Sequence, residues 1–179
     1  KRYRDLDGRH LTVLRADEAS AETIQLQAET TQSHISIALA ARTRVLVDRV
    51  PVAADRRLVT EPGYVAHAVE LTMDQGKPVA VEKVVALYTS RDRAISESLL
   101  AAAEAVRQAA DFDELLARHA LAWHSQWSRF DMTVDSADDW TMTALHLHVL
   151  HLLQTMSQNS VHLDVGVPAR GWHGEAYRG

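Results

Sequence analysis

The segment His34-Ile35-Ser36-Ile37-Ala38-Leu39 decides the fold class of this chain. Its bulky apolar residues alternate with smaller or polar ones, so one face of an extended strand carries Ile35, Ile37 and Leu39. The same period of two, which is typical of a half-buried β-strand, recurs in Leu11-Thr12-Val13 and Thr23-Ile24-Gln25-Leu26-Gln27. Residues 1 to about 88 are therefore predicted to consist of β-strands.

Two runs farther along this region are predicted to form an antiparallel hairpin. The first run places these residues on one face: Val65, His67, Val69, Leu71 and Met73. The turn segment Asp74-Gln75-Gly76-Lys77-Pro78 joins it to the valine-rich run from Val79 to Tyr88. The polar segment from Val52 to Pro62, which contains Arg56 and Arg57, is predicted to be a loop. Several short strands separated by turns predict a β-sandwich.

Helices are predicted after residue 93, because apolar residues recur there every three or four positions. The first helical stripe is Ile95, Leu99, Ala103, Val106 and Ala110, after which Asp111 ends one helix or caps the next. The second stripe is Phe112, Leu115, Leu116, His119, Trp123, Trp127 and Phe130. A third helix is predicted over residues 138 to about 158, capped by Asp138 or Asp139, and its stripe is Leu145, Val149, Leu152, Leu153 and Met156.

Two side-chain clusters on these helices have both a functional and a structural interpretation. Trp123, Trp127 and Phe130 could stack on a sugar, but we favour a packing face because helical aromatics usually bury their large area in cores or interfaces. His148 and His151 share a helical face as a metal pair would, whereas His146 lies away from them. The helix has no HExxH glutamate and no nearby carboxylate, so these histidines are expected to bind no metal.

The composition argues against several classes of function. The 179 residues contain 19 Lys and Arg against 24 Asp and Glu, for a net charge of −5, which argues against nucleic-acid binding. Membrane insertion is not expected, because the chain has no apolar run of about 20 residues. Cysteine is absent, which excludes disulfides and thiolate metal sites and is compatible with a cytoplasmic location. Neither a GxSxG nucleophile motif nor a Walker-type glycine loop occurs.

The most informative stretch is residues 165–179, which hold four of the seven glycines of the chain. Glycine permits positive φ angles and close approach of the backbone to a ligand. The surrounding side chains are an aromatic ring, charged donors and a carboxylate, which are types that bind polyols. They are Arg170, Trp172, His173, Glu175, Tyr177 and Arg178. A loop held together by an ion pair of Glu175 with Arg170 or Arg178 explains the composition equally well.

The segment Pro168-Ala169-Arg170-Gly171-Trp172-His173-Gly174-Glu175-Ala176-Tyr177-Arg178-Gly179 resembles a loop of glycoside hydrolase family 65. That family includes the maltose, trehalose and kojibiose phosphorylases, and its loop typically reads P-A-[KR]-G-L-x-G-E-x-Y-x-G. Trp172 stands where the family usually has leucine. Weaker similarities occur upstream in the family's order, at Asp7–Leu11, Glu82-Lys83, Tyr88–Asp92 and His151–Gln154.

The resemblance implies a multidomain α+β fragment. Residues 1–90 correspond to the C-terminal part of a β-sandwich domain, residues 91–135 to a helical linker, and residues 136–179 to the truncated start of an (α/α)6 catalytic barrel. Family members are several times longer, and their general acid and phosphate-binding residues correspond to positions beyond Gly179. The resemblance therefore assigns this chain no catalytic residue. It makes these residues candidates for substrate binding: Arg170, Trp172, Glu175, Tyr177 and Arg178.

The implied reaction is inverting phosphorolysis of an α-linked glucose disaccharide to a sugar 1-phosphate and a free sugar. Inorganic phosphate is then a co-substrate and no cofactor is needed. The expected partners are the disaccharide and the remainder of the same polypeptide, with a homodimer left open and with neither nucleic acid nor membrane. Two alternatives also remain open, namely an inverting hydrolase of the same family and a non-catalytic carbohydrate-binding or interaction module.

Overall fold

The computed structural model of this chain describes residues 10–93, 95–135 and 139–155. The described strands are β1 (Leu11–Ser20), β2 (Thr23–Thr30), β3 (Ser36–Val47), β4 (Val50–Val52), β5 (Asp55–Glu61), β6 (Tyr64–Glu70) and β7 (Val79–Thr89). The described helices are α1 (Ser98–Gln108), α2 (Phe112–Phe130) and α3 (Asp139–Thr155). The chain divides into two compact units, Lys1–Phe112 and Asp113–Gly179, and each is considered by itself.

The first unit is built around β3, which extends the strand predicted at residues 34–39. β3 pairs with β2 along its first half and with β4 at its end, while β7 pairs with it along the opposite side. β1 lies outside β2, which completes a five-stranded sheet. All these pairings are antiparallel, so the predicted antiparallel character is confirmed. Leu39 shows the central position of β3, because it lies opposite Leu26 on one side and Leu87 on the other.

A second, two-stranded sheet consists of β5 and β6. Pro62 and Gly63 form the turn between them, and Gly63 has a φ of +78°. Proline followed by a residue with positive φ is the pattern of a type II turn, which favours glycine at the second position. This sheet contacts β1 and β2, which is consistent with the predicted sandwich.

The structure corrects two predictions in this region. The segment from Val52 to Pro62 is not a loop, because β5 lies within it and pairs with β6. Arg56 belongs to this strand although it is charged, and its side chain is only 10% exposed, with Nη2 lying 4.0 Å from Glu22 Oε1. The predicted hairpin of the Val65 run with the Val79 run is also wrong. β6 pairs with β5 and β7 pairs with β3, so the turn at Asp74–Pro78 connects two different sheets.

The core of this unit lies between α1 and the central sheet. Its buried residues are Ala38, Ala40, Leu99, Ala102 and Val106. Alanine on both the strand and the helix allows close approach of the two backbones, because it adds little volume between them. The predicted strand face of Ile35, Ile37 and Leu39 is half-buried as expected, but the deepest burial is on the opposite, alanine-bearing face. The helix begins at Ser98 and not near residue 93.

The second unit contains most of α2 and all of α3, at nearly the positions predicted from the apolar stripes. Val149 and Leu153 are buried, whereas Leu152 of the same predicted stripe is exposed. Met156 and the proposed cap Asp138 lie outside the described residues. Two helices do not define an (α/α)6 barrel, so the barrel stays a prediction. Among the helices of the described ranges, none combines the length and apolar character needed to span a bilayer.

Candidate functional site

The predicted sugar-binding residues all belong to the C-terminal segment, residues 165–179. Arg170, Trp172, Glu175, Tyr177 and Arg178 lie outside the residues that the structure describes. Their roles therefore stay predictions that rest on the motif. The described parts of the two units contain other polar clusters, and the two that involve the helices are described next.

The first cluster joins α2 and α3 within the second unit. The rings of Trp127 and His146 meet edge to face, with centroids 5.4 Å apart and an interplanar angle of 73°. His146 Nε2 lies 3.3 Å from Asp131 Oδ1 but makes no hydrogen bond and is shielded from solvent. The described residues therefore give this imidazole a packing contact between α2 and α3.

The aromatic stripe of α2 agrees with the packing interpretation at Trp127, whose ring lies against His146. Trp123 is half-buried and meets His119 edge to face at 6.1 Å. Phe130, the third member of the stripe, remains exposed. The alternative that this stripe stacks on a sugar therefore has no support at Trp127, because the ring of His146 already lies against it.

The histidine pair considered as a metal site is exposed on α3. His148 and His151 both face outward, and His146 turns instead toward Trp127. Across residues 10–93, 95–135 and 139–155, no group of three or more ligating side chains is arranged to hold a metal ion.

The second cluster is an ion pair buried in the first unit, which we call the Arg42–Glu82 clasp. Arg42 Nη2 lies 3.7 Å from Glu82 Oε1, with the two side chains only 4% and 9% exposed. Arg42 Nη1 donates to the carbonyl of Arg107 at 3.2 Å, and Nη2 donates to that of Ala109 at 3.1 Å. The backbone N–H of Phe112 donates to Glu82 Oε2 at 2.9 Å. The clasp therefore satisfies the last carbonyls of α1 and the first amide of α2.

The charges of the clasp match the helix ends that they touch. A cation is favourable at the C-terminus of α1 and an anion at the N-terminus of α2, because of the partial charges of the helix dipole. Burial lowers the pKa of Arg42 below its ordinary value, and the nearby charge of Arg44 lowers it further. The carboxylates of Glu82 and Glu22 oppose that decrease. Glu82 thus partly compensates the cost of placing a guanidinium inside the protein.

Sequence reasoning missed the clasp, although a signal was present. Arg42 continues the alternation of Ala38 and Ala40 on the face that α1 covers. Glu82 interrupts the valine-rich run of β7. A charged residue at a buried position of a strand indicates a partner, but the partner can be named only when the strand pairing is known.

Comparison with known proteins assigns the chain to a class. Residues 1–126 match the family model described as glycosyl hydrolase family 65, N-terminal domain. The match covers well over half of the chain, which therefore belongs to glycosyl hydrolase family 65. The family resemblance predicted from the C-terminal motif is confirmed. The class that this family defines is that of the glycoside phosphorylases and hydrolases.

Individual relatives support the same class. An uncharacterised glycosyl hydrolase of Mycobacterium tuberculosis is 38% identical over 99% of this chain. A kojibiose phosphorylase of Caldanaerobacter subterraneus is 28% identical over 96% of it. A 1,2-alpha-glucosylglycerol phosphorylase of Bacillus selenitireducens is 30% identical over 61%. The chain spans 13%, 23% and 14% of the lengths of these three relatives, respectively.

Proposed function

We propose that this chain is part of an enzyme that cleaves an α-glucosidic disaccharide by inverting phosphorolysis. The observation that carries the proposal is the family motif at residues 168–179, which continues a chain whose first 126 residues match the family's N-terminal domain. Relatives named as phosphorylases, from Caldanaerobacter subterraneus and Halothermothrix orenii, support the reaction type.

The domain division follows the same proposal. Residues 1–90 form the C-terminal part of the β-sandwich domain, residues 91–135 the helical linker, and residues 136–179 the start of the (α/α)6 catalytic barrel. The end of β7 at Thr89 and the start of α1 at Ser98 support the first boundary. The division into units at Phe112 falls inside the proposed linker. The family model ends at residue 126, also inside the linker.

The proposed role of the C-terminal loop is to shape the sugar site. Trp172 and Tyr177 supply rings that can stack on a pyranose, and Arg170 and Arg178 supply donors for its hydroxyl groups. Glu175 supplies an acceptor. None of these residues is proposed as the general acid, because the family resemblance assigns that role to a glutamate beyond Gly179. The chain therefore contributes recognition and depends on the rest of the polypeptide for bond cleavage.

The proposed chemistry is a single displacement. A carboxylic acid protonates the glycosidic oxygen while inorganic phosphate attacks the anomeric carbon from the opposite face, so the glucosyl C–O bond breaks as the C–O bond to phosphate forms. Phosphate is already a nucleophile, and the site needs an anion pocket in place of a catalytic base. An α-linked substrate then gives a β-configured sugar 1-phosphate. Phosphate is the only co-substrate, and no cofactor takes part.

A hydrolase of the same family is the second candidate. The observation that favours it is the name of the mycobacterial relatives, which are described as glycosyl hydrolases and share 38% identity with this chain. In that reaction a carboxylate activates water, and the product is free glucose. The two candidates differ in whether cleavage depends on phosphate.

The test is an assay of the full-length gene product against a panel of α-linked glucose disaccharides, with and without inorganic phosphate. Formation of sugar 1-phosphate only in the presence of phosphate is the expected result, and NMR of the fresh product should show the β-anomer. Phosphate-independent release of glucose would establish the hydrolase. Binding of the disaccharides without either product would favour the non-catalytic module, and neither binding nor turnover would overturn the proposal.

A further inference from the structure

The sequence between α1 and α2 carries no signal that ends a helix. Helix α1 ends at Gln108 and α2 begins at Phe112, and residues 109–111 between them read Ala-Ala-Asp. Helices commonly end at a left-handed glycine or shortly before a proline, and neither residue type occurs in residues 98–130. Alanine is the strongest helix former, and aspartate inside a helix is less unfavourable than glycine. The local sequence therefore permits α1 and α2 to form one continuous helix.

The backbone nevertheless leaves the helix at Ala109. Its φ of −59° and ψ of 134° are extended, whereas an α-helix needs a ψ of about −42°. In a continuous helix each N–H would donate to the carbonyl four residues earlier, so that of Phe112 would donate to Gln108. We call residues 109–111 the corner. Something outside the local sequence must hold it.

The Arg42–Glu82 clasp takes up the backbone groups that a continuous helix would use. Arg42 donates to the carbonyls of Arg107 and Ala109, and Glu82 accepts from the N–H of Phe112. In a continuous helix the two carbonyls would instead accept from N–H groups four residues farther along. The clasp therefore competes with the helix for hydrogen bonds at the corner.

Apolar packing does not hold the start of α2 in place. The side chain of Phe112 is 62% exposed, and none of the described residues of α2 is buried. By contrast, α1 is fixed on the central sheet by Leu99, Ala102 and Val106, which belong to the core. Without the clasp, α1 would stay on the sheet, while α2 has no buried side chain among the described residues that would keep the corner.

We propose that the clasp, and not the local sequence, ends α1 and holds the corner. The clasp is a conformational device, because it selects one of two backbone conformations of the same three residues. Arg42 lies on β3 and Glu82 on β7, and the pairing of these strands brings the two side chains together. The corner therefore depends on the folded sheet, and release of the clasp joins α1 and α2 into one helix. This inference is independent of the proposed reaction.

The distance between two spin labels in the full-length protein tests the proposal. Leu100→Cys and Ser125→Cys place the labels at exposed positions of α1 and α2. Residues 1–179 contain no native cysteine, and any cysteine elsewhere in the polypeptide is replaced. At 1.5 Å per residue, a continuous helix would separate the two Cα atoms by about 38 Å.

The release variant is Arg42→Met/Glu82→Met. It is expected to fold, because apolar residues of similar volume often replace a buried ion pair without loss of stability. We expect its distance distribution to gain a component near about 38 Å that the protein with the intact clasp lacks. The reason is that the freed carbonyls and N–H group at the corner then bond within the helix.

Two further variants separate release of the corner from general destabilisation. Glu18→Gln changes the carboxylate that pairs with another buried side chain, His67, at 2.9 Å, and it should keep the wild-type distances. Ala110→Pro, added to the release variant, should remove the new component. Proline interrupts a helix and favours an extended conformation at the preceding residue, which Ala109 already has.

Each contrary result would overturn the proposal. A component near the continuous-helix distance with the clasp intact would show that the corner is not held, and its absence from the release variant would show that the clasp is not needed. A component that persists after Ala110→Pro, or that also appears in Glu18→Gln, would not arise from a helix joined at the corner. Loss of cooperative thermal unfolding in the release variant would mean that the clasp holds the whole first unit.

Discussion

The guanidinium of Arg42 and the carboxylate of Glu82 lie 3.7 Å apart on one face of the central sheet and hold two helix ends. Arg42 donates to the carbonyls of Arg107 and Ala109 at the end of α1, and Glu82 accepts from the N–H of Phe112 at the start of α2. Each charge therefore has a second polar partner. Removing either partner is therefore expected to lower the free energy of unfolding strongly, since the remaining group would be a buried, unneutralised charge.

Removing one member of the clasp should destabilise the first unit strongly. We expect Arg42→Met and Glu82→Gln each to lower the free energy of unfolding by about 3–5 kcal/mol, as for other broken buried ion pairs. The double variant Arg42→Met/Glu82→Gln should lose less than the sum of the two. Denaturant unfolding measures the energies, and hydrogen exchange at the Phe112 amide reports the junction. Additive losses with unchanged exchange at Phe112 would show that the two side chains are not coupled.

The contact between α1 and the central sheet should tolerate no added volume. Ala102 is fully buried against the strand that carries Ala38, and both are 0% exposed. We expect Ala102→Leu to lower the free energy of unfolding by about 1–3 kcal/mol through overpacking. Leu100→Ala is the control on the same helix, because Leu100 is exposed. A neutral Ala102→Leu would mean that the helix can move off the sheet at little cost.

The turn between β5 and β6 should require glycine for its backbone conformation and not for space. At Gly63, where φ is +78°, a Cβ would meet Val13 Cγ2 at an ordinary contact distance of 3.5 Å. We expect Gly63→Ala to cost about 1 kcal/mol, from the left-handed conformation alone. Gly76→Ala is the matched variant, since Gly76 has a φ of +84° with no heavy atom within 4 Å. Thermal unfolding should show similar losses for both, and a loss at Gly63 alone would implicate the Val13 contact.

Asp17 should contribute stability that acid removes. Burial by itself raises the pKa of this carboxyl, but hydrogen bonds from Gln25 and Arg15, with the charge of Arg15, bring the pKa below its ordinary value. Since the pKa is lower in the folded state, the contribution is present above the unfolded pKa of about 3.9 and is lost as the pH falls through the folded value. The side chain is 38% exposed, so solvent screening limits the effect of Asp17→Asn to under about 1 kcal/mol at neutral pH.

The measurement for Asp17 is the free energy of unfolding as a function of pH. Between pH 5 and the folded pKa, the wild type should lose more stability than Asp17→Asn. Asp55→Asn serves as the control for the loss of one exposed carboxylate in the same unit. Parallel acid profiles of the wild type and Asp17→Asn would contradict the prediction.

Glu175 should matter for turnover if the C-terminal loop borders the sugar. In the full-length enzyme we expect Glu175→Gln to lower kcat/KM by about tenfold or more, because a charged acceptor contributes about 1.5–3 kcal/mol in a hydrogen bond. The thermal midpoint should stay close to that of the wild type. Kinetics identical to the wild type would remove the loop from the substrate site, and a large loss of stability would favour the alternative of a loop held by ion pairs.

Of the candidate site, the sequence predicted the C-terminal motif. The spacing of Gly171, Gly174 and Gly179 around Glu175 indicated the family, and the match of residues 1–126 to the family model confirmed it. The Arg42–Glu82 clasp was not predictable. Its two residues come from different strands, and nothing in either local pattern shows that those strands are neighbours.

The sequence alone determined which segments form strands and helices across most of the chain. Side-chain periodicity is a local property, and it correctly placed β1, β2, β3 and the three helices. Only the tertiary structure decided which strands pair, and it joined β7 to β3 and β6 to β5. The physical reason is that an alternating strand can present the same hydrogen-bonding edge to several partners. Chain connectivity and the burial of Ala38 and Ala40 beneath α1 select among those partners.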